Sequence, residues 1–304
     1  MDIRWQPHND VTLPQYIPIR DPLISLEGAD WLAMPSPRLG RYRVSLRGAL
    51  FHRTDGLHGE GYALCLRCGR ADSMLADAKL PGTFADEHGN PIPHKRLRGG
   101  KNHDREQACP GSQEPWAMKQ GLRLGLVTHT EVLELQLHDP TSGRPIDRVT
   151  AYSLAVALRR ALAQRLGVEE REIGCAVIPS RSGEGHPAFS LYLFDTASGG
   201  AGYVSQAVDW FPELFRQARG VLVCPRDCDG ACQGCLLTYD TQHHLDDLDR
   251  QRALSLLDET FFNALELPAA LQGFGSATRL EMEPLGMALR RALQRHTITQ
   301  VATY

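Results

Sequence analysis

Apolar and polar residues alternate over residues 41–51, RYRVSLRGALF, setting Arg41, Arg43, Ser45 and Arg47 opposite Tyr42, Val44 and Leu46 and predicting a strand. Alternation is stricter over 131–138, EVLELQLH, where Leu133, Leu135 and Leu137 share one face and Glu134, Gln136 and His138 the other, as in a half-buried strand. The period then changes. Leu154, Leu158, Ala161, Leu162 and Leu166 recur at three and four residues, with Asp147 where an N-cap belongs and Gly167 where a helix stops. A helix is therefore expected from Asp147 to about Leu166, with Arg159, Arg160 and Arg165 on a solvated face. Residues 172–178 and 188–195 are largely apolar throughout and are joined by the polar loop SRSGEGHP, a pattern that belongs in the middle of a sheet. Residues 203–218 carry a helix broken at Pro212 or beginning again there, residues 245–265 carry another, and a last one is expected near 284–295. Residues 1–40 are rich in proline without a sustained period and read as an extended arm, and 75–112 read as a charged loop with turns at Pro81-Gly82, Gly89-Asn90 and Gly99-Gly100.

Composition narrows the class. Over 304 residues, 42% are hydrophobic and 23% charged, and the formal charge is -3, which excludes disorder, collagen, a coiled coil and a histone-like basic protein. No run of about 18 apolar residues occurs, and the first residues lack the apolar stretch of a signal peptide, so a soluble, cytoplasmic chain without membrane contact is expected. Eight cysteines in such a compartment read as metal ligands or reduced thiols rather than disulfides.

Their spacing selects metal. In CPRDCDGACQGC, Cys224, Cys228, Cys232 and Cys235 sit on one tight loop with glycines that let the chain reverse around a tetrahedral ion. Zinc is the reading, and an iron-sulfur cluster takes the same ligands. A looser set starts at Cys65-Leu66-Arg67-Cys68-Gly69, a knuckle of the zinc-ribbon type, and continues at Cys109. Three thiols need a fourth donor, with His94 the first choice, His103 the second and His88 also within the span. Cys175 stands apart in an apolar stretch. The turn Thr196-Ala197-Ser198-Gly199-Gly200-Ala201-Gly202, between strand and helix, could aim N–H groups at an anion, which makes Ser198, Gly199, Gly200 and Gly202 candidate anion or DNA contacts beside Arg96 and Arg98. It is neither G-x-G-x-x-G nor a P-loop.

LYLFDTASGGAGY at 191–203, CPRDCDGACQGC at 224–235 and LTYDTQHHLDDLDRQRA at 237–253, occurring in this order, resemble the DUF1998 family. That family is the zinc-binding module at the C-terminus of bacterial superfamily 2 helicases, also found in the DISARM anti-phage system. YALCLRCGR, HKRLRGG, CPGS and GLRLGLVTHTEVLELQL look like its longer members, so the resemblance spans residues 40–265. It implies zinc ligands at Cys224, Cys228, Cys232 and Cys235, and a second zinc at Cys65, Cys68, His94 and Cys109. One departure is THTEV at 128–132, where the family pattern has Thr-Asp-Val and Glu131 reaches one methylene further.

The expected fold is α+β: a mixed sheet with packed helices and two zinc-stabilised loop regions. Its parts are an arm (1–40), a zinc-ribbon-like subdomain (41–125), a DUF1998-like core with the four-cysteine site (126–270) and a helical tail (271–304). The resemblance implies a module beside a superfamily 2 helicase motor, contacting DNA or the motor in anti-phage defence or DNA repair. No G-x-x-x-x-G-K-[ST] is present, so a motor would be a separate chain or another part of the same polypeptide, and the chain is expected not to be an enzyme. Two alternatives stand beside this: a hydrolase or nuclease built on Asp195, His186, Glu172 and the glycine turn, and a purely structural helicase partner. Local basic groups for DNA are Arg41, Arg43, Arg47 and Arg53, or Lys95, Arg96, Arg98 and Lys101.

Overall fold

Long strands and one central helix organise the computed structural model, which describes residues 21–97 and 107–266. The first part of the expected arm, the expected helix near 284–295, the tail, Arg98, Lys101 and His103 lie outside the described residues. The strands in chain order are β1 (Leu23–Ser25), β2 (Leu32–Ala33), β3 (Gly40–Thr54), β4 (Tyr62–Cys65), β5 (Ala71–Ser73), β6 (Met118–Leu122), β7 (Leu124–Leu137), β8 (Ile173–Arg181) and β9 (Pro187–Asp195). The helices are α1 (Arg148–Leu166), α2 (Tyr203–Gln206), α3 (Phe211–Leu222), α4 (Arg250–Leu256) and α5 (Glu259–Leu265). The α+β class expected from the sequence is what the chain adopts.

Two compact units form. The smaller holds Phe51–Val127, and the larger holds Leu23–Leu50 and the described residues from Thr128 onward. The larger is built on a sheet in the order β1-β3-β7-β9-β8, with β2 paired to β3, and β9 pairs antiparallel with both β7 and β8. The hairpin β8-β9 is thus placed with β9 inside the sheet and β8 at its edge, not both in the middle. β8 is apolar for another reason. Its Ile173 and Val177 face the main core, while Ala176 joins Leu26, Leu50, Val132, Tyr192 and Phe194 on the opposite face.

The expectation for β7 is corrected as well. Glu134 and Gln136 are 2% and 3% exposed, because β7 runs between β3 and β9, whose side chains flank both groups. Burial of such groups requires partners. The Glu134 carboxylate accepts from Arg43 Nε at 2.6 Å and from the Tyr192 hydroxyl at 2.8 Å. Gln136 accepts from Arg41 Nε at 2.8 Å and donates to Ser180 and Ser190 at 3.1 and 3.0 Å. Arg41 and Arg43 also flank the Trp31 ring, at 4.1 and 4.5 Å. Both arginines therefore serve the sheet's interior.

Helix α1 is buried nearly all round, from Thr150 to Ala163, which marks a central rather than a surface helix. Leu133, Leu135, Leu191 and Leu193 belong to the same core, and α3 and α4 also pack on α1. Asp147 accepts from the N–H groups of Val149 and Thr150, and Gly167 ends the helix in the left-handed region, both as the sequence predicts. The arginines divide. Arg159 is 3% exposed and paired with Asp240 and Glu170, and the half-buried Arg160 donates to the Cys235 carbonyl, whereas Arg165 is exposed, as expected, and stacks on Trp210. The helix is enclosed where Arg159 sits and meets solvent in its last turn. The break in residues 203–218 falls at Trp210, and Pro212 opens α3. The long helix expected over 245–265 is split into α4 and α5, each capped by an aspartate, Asp249 and Asp258.

The smaller unit carries a three-stranded sheet, β5-β4-β6, with antiparallel pairing. Its buried core is Ala63, Cys65, Met74, Phe84 and Cys109. Two thiols in so small a core indicate that a cross-link or an ion supplements it.

Candidate metal centres

In the smaller unit, β4 ends on Cys65 and the knuckle turns back through Gly69, whose N–H donates to the Cys65 carbonyl at 2.8 Å. Backbone pairing brings the other donors in: Cys109 N–H donates to the His94 carbonyl at 2.8 Å. The donor atoms of Cys65, Cys68, His94 and Cys109 lie within 4.8 Å of one another. Cys65 and Cys109 sulfurs are 3.8 Å apart, and Cys68 Sγ lies 3.5 Å from His94 Nε2. Sulfurs about 2.3 Å from one tetrahedral zinc would be about 3.8 Å apart, and a sulfur–nitrogen edge about 3.6 Å. A disulfide would bring sulfurs to about 2.05 Å, and all eight thiols are free. The spacing thus fits four ligands on one ion.

Sequence reasoning missed the groups that orient this set. Ser112 Oγ lies 2.9 Å from His94 Nδ1, which leaves Nε2 for the thiol side. Phe84 meets the His94 ring edge-on, at 4.9 Å. Gly111 is required because an added Cβ would come within 2.7 Å of Cys65 Sγ. Ser112 and Gly111 both lie in the CPGS stretch already singled out. His88 is exposed and takes no part; its N–H donates to Asp86.

The second set forms on the loop after α3. Cys224, Cys228, Cys232 and Cys235 also keep their sulfurs within 4.8 Å, with Cys224–Cys232 at 3.5 Å, Cys228–Cys235 at 3.6 Å and Cys232–Cys235 at 3.9 Å. N–H groups of Arg226 and Gly234 point at Cys224 and Cys232 sulfurs, at 3.4 and 3.3 Å. Arg250, 4% exposed, is the missed residue here. It donates to the carbonyls of Cys228 and Leu222 and to Asp227, while its own N–H donates to the Gly230 carbonyl at 2.8 Å. One guanidinium thereby ties the loop to α4. An iron-sulfur cluster would divide the thiolates among two or four irons and spread the sulfurs, so this spacing favours a single ion.

Electrostatics agree. Hydrogen bonding from the Cys228 backbone, with help from Arg226, pulls the Cys224 thiol down to about 6 against burial, whereas burial and the neighbouring thiols push Cys228 up to about 12. Burial likewise pushes Cys109 up to about 11, and burial with the nearby Arg70 lowers His94. Four crowded thiols cannot all ionise unaided. A divalent cation held by the four would supply the balancing charge.

The glycine turn is occupied from within. Asp195, 1% exposed, accepts from the N–H groups of Ala201 at 2.6 Å, Tyr203 at 3.2 Å and Val204 at 3.2 Å. Gly199 N–H donates to the His129 carbonyl and Gly200 N–H to that of Ala197. Of the N–H groups expected to face an anion, those of Gly199 and Gly200 are thus engaged by protein carbonyls. Gly200, at φ +82°, is needed because an added Cβ would lie 2.6 Å from Glu131 Cγ. His186 is exposed beside Glu184 just before β9, whereas Asp195 ends that strand, about 30 Å away at the usual rise per residue. The two do not meet as a catalytic pair. Arg96 lies in the smaller unit, just beyond His94.

An α+β fold that gathers two sets of four soft donors at tetrahedral spacing defines a metal-binding module. Residues 154–236 match the family model of the MrfA Zn-binding domain, a span that encloses Cys224, Cys228, Cys232 and Cys235, and the likeness to the DUF1998 family read from the motifs is borne out. The chain is 28% identical over 205 residues, 65% of its length, to the Druantia protein DruE of Escherichia coli (strain UMEA 4076-1). It spans 10% of that relative's length. Among solved structures, the crystal structure of the DUF1998 helicase MrfA bound to DNA is similar with a TM-score of 0.41 and 13% identity, over 80% of this chain and 25% of that one. No helix among the described residues is long and apolar enough to cross a membrane.

Proposed function

We propose that the chain is a non-catalytic module that binds two zinc ions and works with a superfamily 2 DNA helicase motor, contributing DNA contact, assembly with the motor, or both, in anti-phage defence or DNA repair. The observation that carries this reading is the pair of four-donor sets at single-ion spacing, one of them inside the matched zinc-binding family segment. Each set offers four protein ligands, as structural zinc sites do, and leaves no ligand position for a water. When bound, zinc would supply folding free energy by closing the two loops. Cys65, Cys68, His94 and Cys109 would hold one ion, and Cys224, Cys228, Cys232 and Cys235 the other. Ser112 fixes the imidazole and Arg250 fixes the second loop.

The motor's place in the reading comes from MrfA and from the family. The test is reconstitution of the zinc-loaded chain with its helicase motor, followed by anisotropy titration with single-stranded and forked DNA at two salt concentrations. Binding by the chain or by the complex is expected. Absence of binding by either would leave only assembly, and absence of any complex would end the helicase reading. Incubation with labelled DNA and magnesium or manganese is expected to leave the DNA intact; cleavage would revive the nuclease alternative.

A further inference from the structure

The knuckle of the smaller unit carries an aromatic group that its own core does not use. Trp116 is 55% exposed, on a short turn of Pro115–Ala117. That turn is fixed to the knuckle, because Leu66 N–H donates to the Ala117 carbonyl at 2.8 Å. Arg67 lies over the indole at 4.9 Å and is itself held by a two-pronged pair with Glu114, at 2.8 and 3.1 Å. An exposed indole normally rotates freely; this one is held by a clamped guanidinium and a metal-ligand loop.

The described stretches that make up the knuckle, 65–70, 94–97 and 107–117, contain Arg67, Arg70, Lys95 and Arg96 beside Glu114, in a chain whose net charge is -3. Glu114 is already taken by Arg67. Arg70 reaches the Lys95 carbonyl at 2.7 Å, joining the two basic stretches, and the half-buried Arg96 has a buried Nε with no hydrogen-bond partner among the described residues. Leu66 is the other exposed large apolar side chain in these described stretches. Aromatic platforms beside cationic tracks are how single-stranded nucleic acids are held without sequence preference.

We infer that Trp116 is a stacking platform for a base of single-stranded DNA, whose phosphates pass Arg70, Lys95 and Arg96. This rests on the DNA-handling reading above and gives it a specific surface. Stacking and charge have separable signatures. Using the zinc-loaded full chain and an oligothymidylate, Trp116→Ala should weaken binding roughly ten-fold or more, with the slope of log affinity against log salt unchanged. Trp116→Phe, which keeps a ring, should retain most of the affinity. Lys95→Gln and Arg96→Gln should each reduce the salt slope by about 0.7. Metal content, measured on every variant, reports whether the knuckle stays folded. Wild-type affinity in a metal-loaded Trp116→Ala chain would overturn the platform while leaving the DNA-handling reading standing. No binding by the wild-type chain or its motor complex would overturn both. Unchanged DNA affinity with loss of the motor would make Trp116 a protein contact and overturn the inference.

Discussion

At the residue scale, ligands act through the groups that hold them. Cys232→Ser should release one of two zinc ions and lower the melting temperature of the larger unit, read by elemental analysis and by thermal unfolding; unchanged metal content would contradict its assignment as a ligand. Ser112→Ala should leave the ligands in place yet weaken zinc retention at the histidine site about 10- to 100-fold, because the imidazole loses its partner at Nδ1, and a chelator competition would measure this. The clustering of Cys224, Cys228, Cys232 and Cys235 was legible in the sequence because four thiols within twelve residues can meet only on one tight loop. His94 was legible only as one of three histidines; the backbone pairing of Cys109 with His94 is what selects it, and pairing across fifteen residues leaves no periodic trace. Arg250 carried no signal of its own within 237–253, since its importance lies in carbonyls contributed by a loop twenty residues earlier.

At the scale of elements, α1 and β7 show where pattern suffices and where it does not. The helix bounds were readable because Asp147 and Gly167 act locally. Asp147→Ala should cost about 1 kcal/mol in chemical unfolding. Burial pushes the Asp147 carboxyl up, but hydrogen bonds from Thr150 and Val149 and the charge of Arg252 outweigh it and hold the group below its ordinary value. Its contribution is therefore present above the unfolded pKa of about 3.9 and is lost as pH falls through the lower folded value; Asp147→Ala should flatten that part of the acid-unfolding curve. The solvated position expected of Arg165 is met, but Arg159 on α1 and Glu134 and Gln136 on β7 are buried, because alternation and three-four spacing report one apolar face and are silent about what surrounds the other. Glu134 and Gln136 look like solvent-facing positions until Arg41, Arg43, Ser190 and Tyr192 are seen to surround them. Glu134→Ala should destabilise the larger unit by about 3 kcal/mol, since it leaves Arg43 and the Tyr192 hydroxyl without their acceptor; a loss below 1 kcal/mol would mean that this face is wetter than described.

At the scale of the whole molecule, each compact unit has its own donor set, and the two units differ in how far they depend on it. The larger unit has an extensive apolar core around α1, whereas the smaller unit's buried core includes Cys65 and Cys109 themselves. The class of the fold and both donor sets could be read from the chain; the division of β3 and β7 between units could not, because a continuous strand pattern gives no sign of which core each half serves. The most direct test of the central claim is metal stoichiometry of the purified chain by elemental analysis. Two zinc ions per chain are expected, falling to one in Cys232→Ser. One zinc in the unmodified chain would remove one of the two sites, and none, or iron in place of zinc, would contradict the account.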